Sequence, residues 1–145
     1  MFERFKRWLH ARPQKIPSSL PSHLRVGIAG ENAAATFYYK KGFDILLRNS
    51  HVGKSEIDLI AEDKECIVFC EVKARIADPD HPSPFGRPAA AVTPEKQRFL
   101  IRAAGSYVRR YRKREKKFRF DVIEVYLTPK LKVKHLHHIR NAFTR

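Results

Sequence analysis

An unbroken apolar run that ends in an acid and a base two residues apart, Ile67-Val68-Phe69-Cys70-Glu71-Val72-Lys73-Ala74-Arg75, constrains this chain more than any other segment. Its composition predicts a buried strand, whose period of two sends Glu71 and Lys73 to one face and Cys70 and Val72 to the other. Desolvating an unpaired carboxylate or ammonium is costly, so charged groups at the end of such a strand require partners. The nearest source is Ser55-Glu56-Ile57-Asp58-Leu59-Ile60-Ala61, which alternates in the same way and is separated by the polar run Glu62-Asp63-Lys64-Glu65. If that run is a hairpin tip bending near Lys64-Glu65, antiparallel register sets Asp58 opposite Glu71. Like charges so close raise each other's proton affinity unless a cation lies between them, which suggests a divalent metal site built from oxygen ligands. The alternative is an exposed strand end at which Lys73 pairs with Glu71 or Glu56 as a surface salt bridge.

At 145 residues, 43% of them hydrophobic, the chain suits one domain with a real core and excludes a disordered polymer. Lysine and arginine number 30 against 15 acids, a formal charge of +15, which favours a polyanionic partner. Nucleic acid is the first expectation and an anionic membrane surface the second. The two cysteines, Cys66 and Cys70, stand four residues apart in one strand, roughly 13 Å at ~3.3 Å per residue, too far for a disulfide. They read as small buried hydrophobes, consistent with a reducing, cytoplasmic location. No apolar run reaches the length of a membrane span, and the N-terminus lacks a secretory signal core.

Residues 1–23 mix Phe2, Phe5, Trp8 and Leu9 with arginines and lysines before Pro13, Pro17 and Pro21, and read as a basic amphipathic extension with a proline-rich linker. Deleting Met1 to Ser22 is expected to leave the unfolding midpoint nearly unchanged. Residues 24–145 form the single domain. It opens with an alanine-rich helix closing at Lys40-Lys41-Gly42, in which Glu31 either complements the dipole or supplies a third acid. Strands follow at Phe43–Asn49, through a Gly53 turn to the Asp58 strand, and then the Glu71 strand, giving a meander. Asp78 to Pro88 is too proline-rich for regular structure and lies where the acids end.

Thr93-Pro94-Glu95 is a helix start, and the helix is expected to run to about Arg114 with one packed face and one strongly basic face. A further strand covers Phe118 to Leu127, and Leu131 to Ile139 suits a last edge strand. His135, His137 and His138 lack flanking acids or cysteines and are expected to be exposed rather than metal-bound.

The order of helix, three-strand meander, helix and strand resembles the restriction-endonuclease-like PD-(D/E)XK fold, and specifically the YraN-like family of uncharacterised bacterial proteins. The residues carrying the resemblance are Gly30-Glu31 with Ala33 to Ala35, Glu56-Ile57-Asp58-Leu59-Ile60, Glu71-Val72-Lys73-Ala74-Arg75, Val92 with Lys96 and Ala103-Ala104, and Arg119-Phe120-Asp121-Val122. It implies an α/β domain with a mixed sheet flanked by helices. It also implies Asp58 and Glu71 as ligands of Mg2+ or Mn2+ with the Val72 carbonyl assisting, Lys73 beside the scissile phosphate, and Glu31 as an accessory acid. The chain departs from the family pattern at Ser55, His51 and Ile57, where relatives carry glycine, arginine and the proline that names the wider motif. None of these removes a ligand. Arg75, Lys96, Arg102, Arg109 and Arg110 are the expected nucleic-acid contacts.

The resemblance thus implies a metal-dependent endonuclease acting on DNA phosphodiesters, in branched or damaged structures by likeness to resolvase-type members. A catalytically silent nucleic-acid-binding module of the same fold is the alternative. A membrane-surface adaptor using Phe2, Phe5 and Trp8 is a third class. Oligomeric state is left open.

Overall fold

The computed structural model describes residues 11–52, 55–77, 92–111 and 115–144, with side chains left undescribed at 50–55. The expected amphipathic segment at Phe2 to Leu9, the Gly53 turn, the Asp78–Pro88 loop and the helix end from Arg112 to Arg114 lie outside these residues. Two helices, α1 (Ser22–Lys40) and α2 (Pro94–Arg110), flank five strands: β1 (Asp44–Val52), β2 (Ser55–Glu62), β3 (Cys66–Ile76), β4 (Lys117–Leu127) and β5 (Val133–Phe143). The sheet runs β1-β2-β3-β4-β5, antiparallel throughout except where β3 and β4 lie parallel. A parallel pair needs a long crossover, and α2 supplies it. This is the α/β arrangement expected from the order of elements.

Each helix covers one face of the sheet. Ala29, Ala34, Ala35 and Tyr38 of α1 pack with Leu59, Val68, Cys70, Ile123 and Val125, while Leu100, Ala103, Ala104, Tyr107 and Val108 of α2 pack with Ile60, Ile67, Phe69 and Phe120. Being covered on both sides explains why Ile67 to Cys70 is apolar without alternation. Both cysteines are free, Cys70 buried beneath α1.

The helix ends follow their local chemistry. Thr93 caps α2 by accepting the Lys96 N–H at 3.2 Å, and Pro94 occupies the first turn, where a missing N–H is harmless. Helix α1 closes in a Schellman arrangement: Phe43 N–H donates to the Tyr38 carbonyl and Gly42 N–H to that of Tyr39, both at 3.0 Å, with Gly42 at φ 92°. Inside α1, Gly30 is required by a close approach, because a Cβ there would stand 2.4 Å from the Cβ of Ala74 on β3. That contact draws the helix onto the strand beside the acids and places Glu31 at their edge.

The extension behaves differently from its expectation over residues 11–16. Ala11 is buried in the core, Ile16 packs against it, and Gln14 exchanges backbone hydrogen bonds with the Asn32 side chain at 2.8 and 2.9 Å. Arg48 donates to the Arg12 carbonyl and to Asn32 Oδ1. Removing residues through Ser22 would take these interactions and the start of α1 with them, so the linker reading fails for this part. Proline and polar content signalled a linker, but three-dimensional contact with α1 and β1 was not visible in composition.

A second polar cluster lies under α1. Asp121 of β4 is fully buried and accepts from Tyr38 Oη at 2.7 Å, Arg119 Nε at 3.0 Å and Asn141 N–H at 2.9 Å, and His138 Nε2 stands 2.7 Å from it. His138 is therefore a partly buried partner of Asp121, contrary to the expectation of exposure, whereas His135 and His137 are exposed. The signal missed was Asp121 itself: a carboxylate inside an apolar strand must find donors, and a neighbouring strand offered them.

Candidate functional site

The β2–β3 hairpin bends as its sequence predicts, with Asp63 Oδ1 accepting the N–H groups of Glu65 and Cys66 at 2.9 and 2.8 Å. The resulting register pairs Leu59 with Cys70 and Ile60 with Phe69. One further step would set Asp58 against Glu71, but the ladder stops at Leu59. In place of the next rung, the Asp58 carboxylate accepts the Val72 N–H at 2.8 Å. The side chain thereby satisfies a strand donor and fixes its own direction, so two acids share one notch at the end of the paired region.

Glu71 is only 4% exposed and receives two cations through one oxygen. Lys96 Nζ, from the first turn of α2, donates to Oε1 at 2.6 Å, and Lys73 Nζ lies 3.5 Å from the same atom. The other oxygen, Oε2, is buried with no hydrogen-bond partner among the described residues. Glu31 approaches from α1, where its Oε2 accepts from Asn49 Nδ2 at 2.9 Å. Asn49 reaches it from within β1 by adopting φ 51°, a left-handed conformation asparagine tolerates better than most residues.

Burial first, and then the neighbouring Glu71 and Glu31 charges, push the Asp58 carboxyl up to about 7, against the opposing pull of the Val72 N–H. Burial likewise raises Glu31, opposed by Asn49 and Arg48 and assisted by Glu56 and Glu71. For Lys96, burial alone would depress the ammonium, but its bond to Glu71 outweighs this and holds it above the ordinary lysine value.

The Asp58 shift has a testable consequence for stability. The unfolded carboxyl titrates near 3.8, so the folded protein carries no penalty below that pH, an increasing one as pH rises toward about 7, and the full penalty above it. Asp58→Asn is expected to raise the unfolding midpoint at pH 8 in a chelator by about 5 °C and to leave it nearly unchanged at pH 3.5. Equal midpoint shifts at both pH values would contradict the electrostatic account.

Of the residues expected at the site, Glu31, Asp58, Glu71 and Lys73 are brought together. Lys96 joins them directly, as a partner of Glu71. Arg75 lies two residues beyond Lys73 on the same face of β3. Arg102, Arg109 and Arg110 lie on the exposed side of α2, where Arg102 covers the Phe99 ring and Arg109 donates to Ser106 Oγ. At about 100° per residue Arg102 and Arg109 stand roughly 120–140° around the helix from Lys96, so these two arginines face outward while Lys96 turns into the notch. Glu124, fully buried and beside Lys73 in the parallel register, accepts from Tyr126 Oη at 3.1 Å and faces His137 at 3.4 Å. Sequence reasoning passed over Glu124 and Asn49, because each acts through a partner on another strand or helix.

The donor set suits a small, hard cation. Among the described residues no group of three or more His, Cys, Asp or Glu side chains forms a metal cage. Magnesium, however, is commonly held by one or two carboxylates, with water and substrate phosphate completing its shell. The unpartnered Glu71 Oε2 is an oxygen of the kind such an ion would use. No helix among the described residues is long and apolar enough to cross a membrane.

Comparison with known proteins gives a consistent assignment. The model of a family described as "Uncharacterised protein family UPF0102" matches residues 30–125. A UPF0102 protein of Caldicellulosiruptor saccharolyticus is 41% identical over 118 residues, covering 81% of this chain and 96% of the relative. Others from Chlorobium phaeobacteroides and Caldanaerobacter subterraneus are 41% identical over 122 residues and 43% over 119, each covering 81% of this chain and 93% of the relative.

Proposed function

The chain belongs to the uncharacterised protein family UPF0102, and for this member we propose metal-dependent hydrolysis of DNA phosphodiesters at the Asp58–Glu71 pair, with DNA held along α2. The observation that carries this reading is the notch itself, where a buried and a half-buried acid converge beside two lysines and one carboxylate oxygen is left without a partner among the described residues.

In this reading Asp58 and Glu71 hold a Mg2+ or Mn2+ ion, assisted by the Val72 carbonyl. When bound, the ion neutralises phosphate charge and makes a water more acidic. Every other role falls to the chain. The Val72 N–H keeps Asp58 turned into the notch. Lys73, a quarter exposed, can meet an entering phosphate and stabilise the charge that develops on it. Glu31 has raised proton affinity and is oriented by Asn49, which suits it to accept a proton from the attacking water. On α2, Glu95 is the single acid among five basic residues, so the helix presents a surface for phosphates.

A cleavage screen of single-stranded, duplex and branched DNA with magnesium or manganese tests the proposal. At least one substrate should be cut by the parent protein and none by Asp58→Ala. Binding should weaken steeply with salt, and replacing Arg102, Arg109 and Arg110 together should flatten the slope of log K against log salt by up to about 2.7, at about 0.9 for each phosphate no longer neutralised. Salt-sensitive binding without cleavage would identify a silent nucleic-acid-binding module. A flat salt response would exclude both.

A further inference from the structure

We infer that Lys96 is a built-in competitor for the metal-binding carboxylate: its ammonium and a divalent cation take Glu71 in turn, and the ammonium released by the ion becomes a phosphate ligand. This rests on the carboxylate-pair reading above and adds an exchange step to it. Four observations carry it. Lys96 Nζ is bonded at 2.6 Å to Oε1 of Glu71, whereas Lys73, on the same strand as the acid, stands back at 3.5 Å. Glu71 is 4% exposed and cannot follow a cation outward, while the Lys96 side chain is 38% exposed and has a path to solvent. Its backbone is anchored by the Thr93 cap, so only the flexible four-carbon stem must move. Lys96 belongs to the first turn of the helix, within reach of Glu71, so a released ammonium stays beside the acids where phosphate is proposed to enter.

The physical need is clear. A buried carboxylate is stable when a counter-charge accompanies it, and an internal lysine supplies one whenever the ion has not bound. A divalent ion on the free Oε2 would share one small carboxylate with the ammonium on Oε1, and the repulsion between the two cations favours release of the lysine. Breaking one charge-assisted hydrogen bond lowers metal affinity by about a factor of ten.

The test measures Mn2+ binding to the full chain by titration calorimetry and DNA binding in EDTA by anisotropy, for the parent protein, Lys96→Met, Arg98→Met and Asp58→Ala. Arg98, exposed on the same helix, controls for the general field of a nearby positive charge. Lys96→Met should bind Mn2+ about tenfold more tightly than the parent, yet bind DNA more weakly in EDTA, because Glu71 is left uncompensated. Arg98→Met should change Mn2+ affinity much less. A gain in Lys96→Met no larger than in Arg98→Met, or a loss, would overturn the competitor role while leaving the metal site intact, provided Asp58→Ala abolishes Mn2+ binding. If Mn2+ binds to none of the four proteins, the carboxylate-pair reading fails and this inference falls with it.

Discussion

Glu71→Gln is expected to abolish metal-dependent DNA hydrolysis while DNA binding in a chelator stays unchanged or becomes tighter. The two effects have one origin. In the proposed reading Glu71 supplies an ion ligand, but its charge also repels phosphate and occupies two lysines, at 2.6 and 3.5 Å. Removing the charge eliminates the ligand and frees Lys96 and Lys73 to face DNA. Lys73→Ala should differ: turnover should fall about a hundredfold or more through weaker stabilisation of developing charge, and binding should weaken slightly. Quantitative cleavage and anisotropy in magnesium and in EDTA separate the cases. Both variants matching the parent under both conditions would make Glu71, Lys73 and Asp58 a structural ion cluster and sink the nuclease reading.

Asp121→Ala should reduce unfolding stability by about 3–5 kcal/mol at neutral pH without touching the acid notch. The substitution leaves Tyr38 Oη, Arg119 Nε and the Asn141 N–H without their shared acceptor inside a buried site. Burial by itself would raise the Asp121 carboxyl, but the bonds from His138, Asn141, Arg119 and Tyr38 overcome it and lower it to about 2. With the folded value below the unfolded 3.8, this group's ionised contribution is fully present above pH 3.8 and is lost as pH falls through about 2. The gap between parent and variant should therefore narrow in acid by about 2 kcal/mol. Denaturant melts at pH 7 and pH 2.5 measure both. A neutral-pH loss below about 1 kcal/mol would show that the cluster adds little beyond packing.

The two expectations reach different faces of one sheet, and they differed in how far local sequence revealed them. Alternation in Ser55 to Ala61, the Asp63 turn and the run from Ile67 to Arg75 were sufficient for the Leu59–Cys70 register that leaves Asp58 and Glu71 together just beyond the ladder, because a hairpin of short loop leaves little freedom of pairing. Thr93-Pro94 located the start of α2 to the residue, since cap chemistry is local. Relatedness was legible for the same reason: short motifs in order survive being read one at a time.

Tertiary structure decided the rest. Lys96 reads as one more charge on a basic helix, yet its ammonium lies on Glu71, 25 residues away in sequence. His138 reads as an exposed strand residue, yet it meets Asp121. Gln14 reads as linker, yet it is bonded to Asn32 of α1. By itself the sequence determined which segments are helices and strands, how the central hairpin is registered and which face its acids share, because backbone periodicity and turn chemistry act over a few residues. Which cation partners each buried acid was decided only when the chain closed on itself, since the cost of an unpaired buried charge is met by whichever donor distant segments bring within hydrogen-bond range.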